Sequence, residues 1–115
     1  MFKKLFVYAC RVAGSLGSTS TSTQTINIAN DSDFELKEIR TSGVSGVMIT
    51  ISYATGENMS NISLSSGLIG AGQNALKLFD QLIIPKNSQL TVLVDNQSGS
   101  ATSNFEVQLI GFKLQ

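Results

Sequence analysis

The sequence predicts an all-β protein: an antiparallel β-sandwich, jelly-roll-like, of about seven or eight strands, with an extended N-terminal arm. Three observations carry this. Apolar residues alternate with polar ones over short runs, which is the period of a half-buried strand. Clusters of Gly, Asn, Asp and Ser break those runs about every 8–12 residues, the turn spacing of sandwiches and barrels. Neither a strand–helix alternation nor an internal repeat of about 20–50 residues is visible, which argues against a parallel sheet or a solenoid. A length of 115 residues suits one domain.

The elements follow in order. Over residues 5–12, Phe6, Tyr8, Cys10 and Val12 fall on one face and Leu5, Val7 and Ala9 on the other. A strand apolar on both faces must be covered on both, so at a chain start it reads as a central strand or an arm laid on a neighbouring subunit. Residues 14–25 are rich in Ser, Thr and Gly, a linker by composition or an exposed edge by the strand preference of Thr. Ile26 and Ile28 alternate with Asn27, and 30–33 turn through Asx side chains. Phe34 and Leu36 keep one register while Ile39 slips by one residue, which places a β-bulge near Lys37 and Glu38. After a turn at 41–43, Val47, Ile49, Ile51 and Tyr53 alternate with Met48, Thr50, Ser52 and Ala54.

A polar stretch over 57–75 offers Ile62, Leu64, Leu68 and Ile69 as anchors, and loops of that length are functional or conceal short strands. Residues 76–84 read as a short strand or irregular segment, although Leu76, Phe79 and Ile83 also have helical spacing. A turn at 85–88 leads to a strand of Leu90, Val92 and Val94. Another turn at 95–100 precedes a return strand of Phe105, Val107 and Leu109 that runs on to Leu114. The division is therefore an arm and Ser/Thr-rich segment at 1–25 and a sandwich at 26–115.

Composition narrows the function. Charged residues are 14 % of the chain, against about 25 % in an average soluble protein. The eight bases balance the eight acids, and 16 Ser, 9 Thr and 8 Asn supply most of the polarity. Without His there is no Ser–His or Cys–His nucleophile pair and no imidazole base or zinc ligand. Without a basic excess there is no footprint for nucleic acid. These features point away from an enzyme.

Motifs that carry chemistry elsewhere fail on context. Residues 70–75 fit G-x-G-x-x-A with Asp95 at the dinucleotide spacing, yet no apolar strand precedes them and no second βα unit follows. Asp31, Asp33 and Glu35 alternate as cation ligands could, but Leu36 and Ser42 occupy the Gly and Glu positions of the EF-hand loop. A solvated strand paired with Lys37 and Arg40 is the simpler reading. Gly43-Val44-Ser45-Gly46 lacks a spacer of the nucleophile elbow. Glu57, Asp80, Asp95 and Glu106 form no pair set by spacing. Four Asn-x-Ser sequons, at Asn30, Asn58, Asn61 and Asn96, are common by chance in so Ser- and Asn-rich a chain. Cys10 on an apolar strand reads as a small buried hydrophobe. The apolar run after Lys3-Lys4 ends at Arg11, shorter than a signal peptide's core, and nothing approaches a membrane span.

Residues 30–36 (NDSDFEL), 84–92 (IPKNSQLTV), 95–101 (DNQSGSA) and 107–114 (VQLIGFKL) carry a resemblance. With them, the chain resembles small β-sandwich virion proteins of tailed bacteriophages over most of 26–115. The motifs are turn-and-strand patterns, so they bear on fold more than on mechanism. The resemblance implies a non-enzymatic structural protein present in many copies on the phage particle, as head decoration (cement), a fibre base or a head–tail part, with a decoration or minor head protein the leading expectation, without a cofactor or metal. It implies synthesis in the host cytoplasm, no cleaved signal peptide and a place on the virion surface. The expected partners are other copies of the chain and the major capsid or another virion protein, with neither nucleic acid nor membrane. Subunit contacts are expected at Phe2, Leu5, Phe6, Val7, Tyr8 and Val12. The alternatives are a carbohydrate- or receptor-binding jelly roll, with its site on 57–75, and a fibre- or tail-associated adaptor.

Overall fold

A computed structural model describes residues 2–60, 62–69 and 76–115. Among them lie the strands β1 (Lys3–Arg11), β2 (Ser15–Leu16), β3 (Thr21–Asn27), β4 (Asp33–Thr41), β5 (Val47–Ser52), β6 (Leu64–Ser65), β7 (Leu76–Ile84), β8 (Gln89–Asn96), β9 (Thr102–Ser103) and β10 (Glu106–Leu114). One 3-10 turn, Ser66–Leu68, follows β6. Two four-stranded antiparallel sheets have the orders β1-β10-β4-β7 and β3-β8-β5-β6, and β2 pairs with β9.

One rule generates the pairing. Lys3 lies opposite Leu114, Leu16 opposite Thr102, Asn27 opposite Gln89, Leu36 opposite Leu82 and Ile49 opposite Leu64. Each step inward from one end of the chain is matched by a similar step from the other, so the protein is a single long hairpin. Folding that hairpin over itself adds the β10–β4 and β8–β5 contacts. The outcome is the jelly roll, a double Greek key.

The core lies where the sequence alternation places it. Val47, Ile49 and Ile51 of β5 meet Leu90, Val92 and Val94 of β8, and across the sandwich stand Phe34 and Leu36 of β4 with Val107 and Leu109 of β10, all essentially sealed from solvent. Each such side chain stabilises the fold by about 1.5–3 kcal/mol. The turn chemistry also holds: Asn87 takes φ +63° between β7 and β8, a conformation Asn tolerates better than most residues.

The bulge expected near Lys37 and Glu38 is present. Partners step from Glu38 to Leu36 on both sides of β4, leaving Lys37 unpaired, and this brings Leu36 and Ile39 onto the same buried face. Opposite it, Gly111 approaches β4 so closely that a β-carbon there would stand 2.0 Å from the Glu35 carbonyl oxygen and 3.0 Å from the Phe34 ring. Residues 76–84 are extended, with Ile84 opposite Phe34, so the helical spacing of that segment is not used.

The structure corrects the N-terminal reading. The described part of 1–25, residues 2–25, does not form an extended arm: β1 pairs with β10 over its whole length, and Tyr8, Val12 and Leu16 belong to the core of their own chain. The physical reason is the hairpin rule, which supplies a partner strand at the opposite terminus. A boundary at 25/26 would cut through β3, whose Thr21–Asn27 run pairs with β8. Within the Ser/Thr-rich segment, residues 21–25 are thus part of an edge strand rather than of a linker.

Replacing Gly111 by Ala is expected to cost at least about 2 kcal/mol, since backbone rather than a flexible side chain blocks the added methyl. Gly99→Ala, where a β-carbon meets nothing within 4 Å, is expected to stay within about 0.5 kcal/mol. Urea titrations of the two variants against the parent chain measure both.

Candidate interaction surface

Residues directly opposite in a ladder share a face, so the outer surface of the β1-β10-β4-β7 sheet can be read from its register. It carries Lys3, Leu5, Val7, Ala9 and Arg11 of β1, then Leu114, Phe112, Ile110, Gln108 and Glu106 of β10, then Asp33, Glu35, Glu38 and Arg40 of β4. Leu5 and Val7 are 65 % and 43 % exposed, and Phe2 at the strand's start is 80 % exposed. With half-buried Ile110 and Phe112 beside them, Leu5 and Val7 make an apolar strip along the sheet edge.

Ion pairs frame the strip. The Lys3 ammonium lies 3.0 Å and that of Lys37 3.3 Å from the buried Glu35 carboxylate, and Lys3 stands 5.9 Å from the centre of the Phe112 ring. Arg11 donates to Glu106 at 2.6 and 2.9 Å, and Arg40 pairs with Glu38 at 3.3 Å. Lys3 and Lys37 hold Glu35 below the usual carboxylate range, Lys3 contributing more. Gln108 and then Arg11 do the same for Glu106. The frame therefore stays charged at ordinary pH, with each of its cations paired to a carboxylate of the same chain.

Beneath the strip the strand is anchored. The Tyr8 ring stacks edge-on against Phe34 and Phe6, its centroid 4.9 and 4.8 Å from theirs, and the Tyr8 hydroxyl accepts a hydrogen bond from the Ala29 amide at 3.1 Å. The Lys113 ammonium sits 4.2 Å over the Phe6 ring and pairs with Asp31 at 3.2 Å, a cation–π contact that closes this end of the core. Of the six positions expected to contact subunits, then, Leu5 and Val7 are exposed on the outer face, Phe2 is exposed ahead of the strand, Phe6 is half-buried, and Tyr8 and Val12 are core residues. Ile110 and Phe112 were not among the expected positions. The signal for them was legible, because the 107–114 run is apolar on both faces.

The remaining sequence features do not converge on chemistry. Asp31 pairs with Lys113, Asp33 accepts from the Lys86 amide at 2.9 Å and Glu35 lies under two lysines, so the three carboxylates are not gathered around a cation position. Among the described residues no group of three or more His, Cys, Asp or Glu lies close enough to hold a metal. The 70–75 glycine motif and the Asn61 sequon fall outside the described residues. Asn96 is fully buried, its amide donating to the carbonyls of Leu16 and Ser100 at 3.0 Å and its oxygen accepting from Ser98, which makes it a scaffold for two loops. Cys10 is half-buried, and burial pushes its thiol up to about 11. An apolar cleft of about 220 Å³ lies between the sheets, lined by Leu36, Ile51, Tyr53, Met59, Leu64 and Leu82 among others, and no cluster of polar groups converges in it among the described residues.

Two consequences can be measured. Asp31, Glu35 and Glu106 are lowered in the folded state, so their contribution is complete above the unfolded carboxylate range and is lost as pH falls through their folded values. The Cys10 thiol is raised, so the unfolded state gains by ionising as pH climbs past about 9. Thermal unfolding is therefore expected to show a plateau between about pH 5 and 9, with Tm falling on both sides. Cys10→Ser should remove part of the alkaline fall, and Glu35→Gln part of the acid one. Native Cys10 should react with a thiol reagent at neutral pH far more slowly than the urea-unfolded chain.

The chain matches no protein-family model and no curated protein, so what this surface is for has to be read from its own geometry.

Proposed function

We propose that this chain is a non-enzymatic structural protein of a bacteriophage virion, a decoration or minor head protein that attaches to the shell in many copies. The observation that carries the reading is the apolar strip of Leu5, Val7, Ile110 and Phe112 along an unpaired sheet edge, framed by charges that are already paired within the chain. Such a surface loses little on burial against protein, because its charges keep their partners and its apolar groups leave water. Jelly rolls recur in viral capsid domains.

The test is made on particles. Quantitative mass spectrometry of purified virions from the phage that encodes the chain is expected to find it in many copies per particle. Soluble protein is expected to rebind particles from which it has been stripped. Virions that lack it, together with binding of the purified protein to a glycan array, would overturn the reading in favour of a receptor-binding jelly roll.

A further inference from the structure

The hydrogen-bonding geometry of β1 specifies more than an apolar patch. Phe2 and Gln115 exchange both backbone bonds, at 2.7 and 2.8 Å, and the Val12 amide donates to Phe105 at 2.8 Å. The ladder between these points runs without a bulge. In an antiparallel pair the bonded positions alternate, so the even-numbered residues of β1 bond to β10. The amides and carbonyls of Lys3, Leu5, Val7, Ala9 and Arg11 therefore point away from the sheet. No backbone or side-chain bond to them is present among the described residues. Neither Pro, Gly nor a bulge interrupts this edge, and no charge lies on it between Lys4 and Arg11. Edges of that kind pair with another strand unless something prevents it.

We infer that β1 is the contact between two copies of this chain, joined antiparallel about a two-fold axis so that two four-stranded sheets become one of eight. Self-complementarity favours a second copy over a foreign strand. With the axis at Phe6, Leu5 lies opposite Val7 of the partner subunit and Val7 opposite Leu5 of the partner subunit, so the apolar strips merge across the join. Lys3 then faces Ala9 of the partner subunit. An axis one residue further on, at Val7, would instead set Lys3 against Arg11 of the partner subunit, a like-charge pair that is destabilising in a sheet. The Lys3–Glu35 and Arg11–Glu106 pairs remain within each copy, and a net charge of zero gives the copies no long-range repulsion. This contact belongs to the purified protein and goes beyond the virion reading, so either can fail without the other.

Light scattering of the purified full chain at micromolar concentration is expected to give twice the 12.2 kDa chain mass. Val7→Pro removes an outward amide that has no bond within the chain, and is expected to give a folded monomer with an unchanged circular dichroism spectrum. Val7→Lys is expected to do the same by placing charge on the join. Register is read separately in a Cys10→Ser background. Phe6→Cys would put two sulfurs on the axis, where the α-carbons of a non-bonded pair are about 4.5 Å apart, and mild oxidation should link the dimer covalently. A monomeric parent chain, or an oligomer that persists in both folded Val7 variants, would overturn the inference. Cross-linking at Val7→Cys but not at Phe6→Cys would overturn the register.

Discussion

The outer sheet depends on one backbone contact, the approach of Gly111 to the Glu35 carbonyl. β10 is a central strand, with β1 on one side and β4 on the other, so its distance from β4 fixes where β1 lies. A side chain at position 111 would meet backbone at 2.0 Å, and the ladder could close only by moving one of the strands. The bulge at Lys37 belongs to the same device. It lets β4 turn Leu36 and Ile39 into the core while Glu35 and Glu38 stay on the outer face, where they meet Lys3 and Arg40. Packing, the ion-pair frame and the position of the exposed edge thus share one local cause.

The two sheet edges on the N-terminal side of the sandwich have different chemistry. β3 alternates Ser, Thr and Gln with few apolar groups, and Thr21, Thr23 and Thr25 are exposed, so that edge carries polar side chains suited to water. β1 presents Leu5 and Val7 instead, with cations only toward its ends. Charge is the usual defence of an edge strand, and in this chain it is both scarce and already committed: Lys3, Arg11, Lys37, Arg40 and Lys113 each pair with a carboxylate. The low charge content is therefore less a general property of the surface than a feature that leaves one edge undefended.

Buried polar groups serve the scaffold. Asn96 ties the β8–β9 turn to β2, and the Thr41 hydroxyl lies between the carbonyls of Ser66 and Ile69 while accepting from the Gly43 amide. Ser66 in turn donates to the Val44 carbonyl at 2.6 Å. These contacts satisfy loop backbone that the hairpin rule leaves without strand partners, as buried polar groups must be satisfied. They hold the ends of the sandwich in place without gathering reactive groups into a cleft.

Much of this was written in local pattern. Alternation located the cores of β4, β5, β8 and β10, Asx and Pro-Lys-Asn-Ser signals located turns, and the one-residue slip at Ile39 located the bulge, because each depends only on the two-residue period of a strand and on near neighbours. The absence of His limited the chemistry in the same direct way. The partner of β1 was not legible. A strand apolar on both faces announces that both call for cover, but its hydrogen-bonding partner lies about a hundred residues away at the other terminus, and sequence period carries no information on pairing at that distance. For that reason Tyr8 and Val12, which look like contact residues in one dimension, are core, while Ile110 and Phe112 join Leu5 and Val7 on the surface. Which amides of β1 remain free was decided only by the register with β10, a tertiary fact fixed by the closing of the hairpin.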